Sequence, residues 1–175
     1  EVDKGDILKQ KLFPIIGDES AFTLNAKCYQ LAEEAFEELE ADLAGDRLQR
    51  LAQDFSQRSY FGLGQRPESA CIIDFQKTLV EIDRLVRALD YGRYYSPLGY
   101  AKLWLGEDFV VVRAAAEEGV ESNLPGTIVE IDASGLSISC ADGTIKLSEL
   151  YSTNGQRLCP KELSASLAWQ VGVQV

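Results

Sequence analysis

The apolar and polar positions of the first 45 residues predict a strand followed by a long helix. The strand covers the stretch DILKQKLFPI, in which four side chains are available for burial: Ile7, Leu8, Leu12 and Phe13. The helix begins after Ser20 or Thr23, both good N-cap residues, and runs to about Ala44, where Gly45 stops it. Its apolar residues recur at helical spacing: Leu24, Cys28, Leu31, Ala35 and Leu39.

A second helix is predicted in TLVEIDRLVRALD, after a connector between about Asp46 and Cys71 that has no apolar period. Thr78 and Glu81 have the spacing of a capping box, in which each residue bonds the backbone N–H of the other. One stripe of this helix is apolar: Leu79, Ile82, Leu85, Val86 and Leu89. The stripe predicts burial of that face.

Short β segments follow from about Tyr94: AKLWLG, DFVVVRA, GTIVEID, GLSISCA and GTIKLSEL. Turn residues such as Asp142-Gly143 separate them, and five short strands fit a small OB-like barrel. The alternation in LSISC predicts Leu136, Ile138 and Cys140 in the core and Ser137 and Ser139 in water. We expect a short helix near Pro160, and Trp169 is apolar without an assigned place.

Charge narrows the partners that this chain can have. Seventeen Lys and Arg against 28 Asp and Glu give a net charge of -11, which repels phosphate backbones and anionic lipid. No apolar run approaches the length of about 20 residues that crosses a bilayer, and we expect no membrane partner. The chain does not begin with Met, and we expect it to be the back part of a longer cytoplasmic protein.

The titratable residues offer little chemistry by themselves. The chain contains no histidine, which removes the usual general base and the commonest metal ligand. The four cysteines (Cys28, Cys71, Cys140 and Cys159) form no C-x-x-C pair, so we interpret them as buried thiols in a reducing compartment and predict no metal site. Asp3 lies in a Gly-containing turn, and from the pattern alone it is a solvated turn residue.

The motifs taken in order resemble the methionyl-tRNA formyltransferase family. The resemblance spans VDKGDILKQKLFPI, AQDFSQRSYF, IDFQKTLVEIDRLVRALD, LPGTIVEIDASGLSISCADGTIKLSEL and NGQRLCPKEL. It implies an α/β fragment, the end of a Rossmann-like formyltransferase domain, followed by a small OB-like barrel. We assign residues 1–70 to the end of the catalytic domain with its connector, and residues 71–175 to the linker helix and barrel.

The resemblance also implies an active site. EVDKGD is similar to the family's D-x-G-D turn, whose first aspartate is catalytic, and that position here is Asp3. The backbone around Val2 and Asp3 would line the pterin pocket for 10-formyltetrahydrofolate. The family's Asn-x-His motif would lie upstream, in the missing N-terminal half of the catalytic domain, so we expect this chain alone to be inactive.

Departures from the family bear on the acceptor of the formyl group. DYGRYYSPLGYAKLWLG stands where an N-P-W-P-like segment is usual, and residues 76–175 have 9 Lys and Arg against 13 Asp and Glu. We therefore favour an amine on a carrier-bound aminoacyl thioester or a small molecule, as for formylation domains of nonribosomal peptide synthetases. Initiator tRNA stays an alternative through a local basic patch: Arg84, Arg87, Arg93 and Lys102.

A third alternative is a non-catalytic OB-like binding module. Four aromatic residues could stack bases or could pack in the protein: Tyr94, Tyr95, Tyr100 and Trp104. Packing is the interpretation that we favour for these side chains.

Overall fold

The computed structural model describes residues 3–105, 108–119, 123–166 and 170–175, and it divides the chain into two units. Unit 1 covers Glu1–Gln65 and unit 2 covers Arg66–Val175. Trp169 lies outside the described residues.

Unit 1 is built around one long helix, α1, at Ala21–Ala44. Ser20 caps its first turn together with Thr23, and Gly45 caps its end, which confirms the predicted bounds. The half-buried side chains on one face include Leu24, Leu31, Ala35 and Leu39, whereas Cys28 is exposed. The prediction of an apolar face is therefore confirmed except at Cys28.

The strand predicted before α1 is wrong. Ile7 makes a single bridge to Leu51, with N–O distances of 2.8 and 3.0 Å, and no longer ladder follows. Leu12 is 85% exposed, because the described part of unit 1 offers no second strand to pair with this segment. Lys9 and Lys11 instead reach α1 through ion pairs with Glu38 and Asp42.

Unit 2 opens with a left-handed turn and the helix α2, at Leu79–Leu89. Thr78 and Glu81 form the predicted capping box, and four side chains of the predicted stripe are buried: Leu79, Ile82, Val86 and Leu89. Asp142 from a distant turn also accepts a hydrogen bond from the Leu79 N–H at 2.7 Å. A third group thus caps α2.

Five antiparallel strands form the rest of unit 2, as predicted. They are β1 Lys102–Leu105, β2 Asp108–Gly119, β3 Ile128–Ile131, β4 Leu136–Ser139 and β5 Thr144–Ser152, followed by α3 at Pro160–Ser166. The order β1-β2-β5-β4-β3 gives a curled half-barrel. The edges are covered, because the Ile73 N–H donates to the Lys102 carbonyl and the Ile128 N–H to the Val173 carbonyl, both at 2.9 Å.

The prediction that Ser137 and Ser139 face water is wrong, since both are buried as deeply as the leucines beside them. A bulge in β2 between Glu117 and Gly119 leaves Glu118 free to accept a hydrogen bond from the Ser137 hydroxyl. Lys146 pairs with the same carboxylate at 3.0 Å. Glu118 therefore satisfies the buried Ser137 hydroxyl, whereas the Ser139 hydroxyl is buried without a hydrogen-bond partner in the described residues.

The cysteine prediction is confirmed for two residues and wrong for the other two. Cys71 and Cys140 are buried, and burial raises the pKa of both thiols. Cys28 is exposed and Cys159 is half-buried. All four thiols are free.

Candidate functional site

The predicted catalytic residue Asp3 lies in an exposed turn of unit 1. Its φ angle is 62°, in the left-handed region, which aspartate tolerates better than most residues. The side-chain amide of Gln53 donates to the carbonyl oxygens of Asp3 at 3.2 Å and of Gly5 at 2.5 Å. These two bonds fix the backbone of the turn while the Asp3 carboxylate stays exposed.

Gln53 is a residue that sequence reasoning missed. It lies in the stretch interpreted as a connector without period, about 50 positions from the turn that it holds. The bridge between Ile7 and Leu51 brings this stretch beside the chain opening. No local signal announces such a contact, because it depends on the return of the chain after α1.

The chemistry available at Asp3 is that of a lone carboxylate. Its carboxylate makes no hydrogen bond or ion pair with another residue that the structure describes, and the chain contains no histidine. An exposed carboxylate can accept a hydrogen bond from an imidazole or a proton from an amine. The other predicted cofactor-binding residue, Val2, lies outside the described residues.

Within the described ranges, no group of three or more His, Cys, Asp or Glu side chains is placed to hold a metal ion. No described helix combines the length and the apolar character that crossing a bilayer requires.

Two members of the predicted basic patch have partners within unit 2. Arg87 forms an ion pair with Asp83 at 2.6 Å, one helical turn away. The Lys102 ammonium lies 5.6 Å from the ring centre of Phe109, a cation–π distance. Arg84 and Arg93 are exposed.

Two other cations of unit 2 lie in ion pairs. Arg113 pairs with Asp90 at 2.7 Å, and although burial opposes its charge, this hydrogen bond helps raise its pKa. Lys146 pairs with both Glu118 and Asp132, and these bonds raise its pKa. Together with Arg87, three of the cations in unit 2 are thus neutralised locally.

Three of the four aromatic residues predicted to pack in the core or between domains are exposed. Tyr94 is 63% exposed, Tyr95 is 79% exposed and Trp104 is 46% exposed. Trp104 contacts Phe109 across β1 and β2, with ring centres 4.6 Å apart, and Tyr100 meets Tyr95 edge to face. Packing in the core is therefore wrong for the three exposed residues, and packing between domains stays a prediction.

Comparison with known proteins places these features in a family. A family model, the formyl transferase C-terminal domain, matches residues 67–167. The methionyl-tRNA formyltransferase of Ectopseudomonas mendocina is 29% identical over 162 residues, which cover 93% of this chain and 49% of that enzyme. The methionyl-tRNA formyltransferase of Geobacter sulfurreducens is 26% identical over 174 residues, which cover 99% of this chain and 52% of that enzyme. The chain thus spans about half the length of these relatives.

Solved structures share the fold at lower identity. HypX from Aquifex aeolicus in complex with tetrahydrofolic acid superposes with a TM-score of 0.67 at 16% identity, over 98% of this chain and 29% of that one. An N-formyltransferase from Helicobacter canadensis, in complex with folinic acid and dTDP-3-aminofucose, superposes with a TM-score of 0.58 at 18% identity. The match covers 86% of this chain and 52% of that one.

Proposed function

Because the chain belongs to the formyl transferase family through its C-terminal domain, we propose that it forms part of a formyltransferase that uses 10-formyltetrahydrofolate and formylates an amino group. The observation that carries the proposal is the family match over residues 67–167. Alignment with methionyl-tRNA formyltransferases extends it into unit 1, because it covers 93% of the chain.

The domain assignments belong to the same proposal. Residues 1–70 would end a Rossmann-like catalytic domain and its connector, and residues 71–175 would form the linker helix and the OB-like domain. The curled sheet and α2 of unit 2 support the second assignment.

Asp3 is the proposed catalytic residue, with Val2 and Asp3 lining the folate pocket. An exposed carboxylate on a backbone held by Gln53 fits a group that must meet a substrate in a fixed position. The bound folate would supply the formyl group as an electrophile. Asp3 would orient a neighbouring imidazole and accept a proton from the attacking amine.

We favour a carrier-bound aminoacyl thioester or a small amine as the formyl acceptor. Support comes from charge: the chain carries a net charge of -11, and ion pairs neutralise Arg87, Arg113 and Lys146. A protein that grips several phosphates needs cations free to meet them.

The alternative acceptor is initiator tRNA. The similarity to methionyl-tRNA formyltransferases favours it, and Arg84 and Arg93 stay exposed. A non-catalytic binding module is the third candidate, supported by the exposed Trp104, whose ring contacts the half-buried Phe109.

The test is formyl transfer by the chain joined to the N-terminal half that its relatives possess. Charged initiator tRNA, a carrier-bound aminoacyl thioester and a small amino sugar would be compared as acceptors at several salt concentrations. We expect transfer to the thioester or the small amine with little salt dependence; transfer confined to tRNA would establish the alternative, and transfer to none would favour the binding module.

Asp3→Asn should lower kcat by at least about a hundredfold, the scale of general acid–base catalysis. Asp18→Asn is the matched control, since Asp18 is another exposed aspartate of unit 1. Gln53→Ala should lower kcat less than Asp3→Asn, because it loosens the turn without removing the carboxylate. Full activity in Asp3→Asn would remove Asp3 from the mechanism.

A further inference from the structure

Unit 2 contains a cleft that the proposed function does not use. It has a volume of about 270 Å³ and lies between the turn at Ala133 and Ser134, the β5 residues Glu149 and Leu150, and residues 157–160. The half-buried Leu158 and the exposed Ala133 supply apolar surface, whereas Leu150 is only 2% exposed and belongs to the core beneath the cleft. The cleft is therefore large enough for a small organic molecule with an aliphatic part.

Opposite charges line this cleft without neutralising each other. Glu149 and Arg157 are both exposed, and neither side chain makes a hydrogen bond or ion pair with a residue in the described ranges. Elsewhere in unit 2, Arg87, Arg113 and Lys146 all have carboxylate partners. Arg113 interacts electrostatically with Glu149, but no hydrogen bond or ion pair from the described residues occupies either side chain, so Glu149 and Arg157 remain available to a ligand.

The backbone of β5 explains why a carboxylate lies at the cleft. Glu149 has a φ angle of 52°, although Ser148 and Leu150 on either side pair regularly with Ala114 and Val112 of β2. In a regular strand Glu149 would share the core face with Leu147, which is fully buried. The left-handed residue resets the alternation, so that Leu150 enters the core and Glu149 turns away from it.

We propose that this cleft binds a small zwitterion with an aliphatic side chain, of the α-amino-acid class. Arg157 would pair with the ligand carboxylate, in the two-point geometry that a guanidinium favours. Glu149 would accept hydrogen bonds from the ligand ammonium, and the aliphatic part would cover Leu158 and Ala133. The proposal is independent of the proposed formyl transfer.

The first test is an NMR titration of the full chain with three probes that share one aliphatic group. L-Leucine carries both charges, 4-methylpentanoate lacks the amine and 3-methylbutylamine lacks the carboxylate. We expect leucine to shift the amide signals of residues around Glu149 and Arg157 with a Kd at least about tenfold lower than either single-charge probe, which is the effect of one charge-assisted bond. Equal Kd values for the three probes, or no shift with leucine, would overturn the proposal.

Charge-neutral variants assign each end of the ligand. Arg157→Gln should remove the preference for leucine over 3-methylbutylamine, which lacks the carboxylate, and keep the preference over 4-methylpentanoate. Glu149→Gln should remove the preference for leucine over 4-methylpentanoate, which lacks the amine, and keep the preference over 3-methylbutylamine. Arg93→Gln and Glu130→Gln are matched controls at exposed positions outside the cleft and should change neither preference. A preference that survives in both cleft variants would contradict the assignment.

Cys159 provides a second readout, because this half-buried thiol also lines the cleft. A Cys28→Ser variant removes the exposed thiol and keeps three others. Because Cys71 and Cys140 are buried, alkylation of this variant reports mainly on Cys159. Saturating leucine should slow that alkylation severalfold, and 3-methylbutylamine at the same concentration should slow it less. An unchanged rate with leucine would count against binding in this cleft.

Discussion

Different kinds of contact stabilise each of the two units internally. Every buried apolar side chain that the structure describes lies in unit 2, in one cluster shared by α2 and the sheet. In the described part of unit 1, the buried residue is a carboxylate, Glu19, which bonds Thr23 and Lys27. Unit 2 therefore has a hydrophobic core of its own and unit 1 does not.

Helix α1 shows the difference most directly. Four large apolar residues, spaced seven apart, are exposed on it by 42 to 74%: Phe22, Tyr29, Phe36 and Leu43. The contacts on its other side include ion pairs from Lys9 and Lys11, and exposed ion pairs contribute little stability. A hydrophobic pattern at helical spacing can thus form a helix even where no hydrophobic core covers its apolar side chains.

The strongest test of this comparison separates the units. Residues 66–175 alone should unfold cooperatively on heating, because they contain the whole described core. Residues 1–65 alone should show no cooperative transition, since isolated helices are marginal in water. Circular dichroism during heating measures both. A cooperative transition in the first fragment would show that polar contacts suffice for unit 1.

A pair of leucine substitutions measures the same difference at single residues. Leu147→Ala should lower the free energy of unfolding by roughly 3 kcal/mol, because Leu147 is fully buried in the sheet. Leu12→Ala, at a side chain that is 85% exposed in unit 1, should change it by less than about 0.5 kcal/mol. Urea unfolding of the full chain gives both values. Similar losses in the two variants would mean that Leu12 is covered in solution.

Unit 2 holds three consecutive left-handed residues, Ser69, Ala70 and Cys71, whereas the left-handed non-glycine residues in the described part of unit 1, Asp3 and Asp46, are single ones. Ala70→Gly should leave the free energy of unfolding unchanged or raise it by up to about 1 kcal/mol, because glycine adopts positive φ without steric cost. Ala70→Val should lower it. Urea denaturation measures the free energy of unfolding of both variants. A glycine variant that is less stable than the valine variant would show that the backbone at Ala70 is not strained.

The smallest expected effect concerns pH. Hydrogen bonds from Ser134 and from Lys146 lower the pKa of Asp132, whose ordinary value is 3.8. Because the pKa of Asp132 is lowered in the folded state, its ionised carboxylate stabilises the fold fully above pH 3.8. This contribution is lost as the pH falls from there towards the lowered pKa. Asp132→Asn should therefore narrow the difference between the Tm at pH 7 and at pH 3. Asp18→Asn should leave that difference unchanged; an equal narrowing in both variants would remove this role from Asp132.

Much of unit 2 could be predicted from the sequence, because its signals are local. The capping box of Thr78 and Glu81, the stripe of α2 and the five strand segments all formed where the pattern placed them. Two features could not be predicted. Asp142 caps α2 from 63 positions away, and Ser137 is buried because the bulge brings Glu118 to it.

The candidate site shows the same division. The turn at Asp3 was identified by resemblance of its residues to a family motif, and its catalytic role stays a prediction. The contact that fixes its backbone, from Gln53, has no signature in the sequence. The strand predicted from Ile7 to Phe13 failed because a strand requires a neighbour, which an apolar pattern alone does not supply.

The sequence by itself determined where α1, α2 and the five strands of unit 2 lie, since caps, turns and periodicity act over a few residues. It also determined the net charge of -11, which bears on the choice of partner. Only the tertiary structure decided that the Ser137 and Ser139 face of β4 is buried, which cations are neutralised and that Glu149 turns away from the core. These outcomes depend on residues far apart in the chain, whose distances are set when the sheet and helices pack.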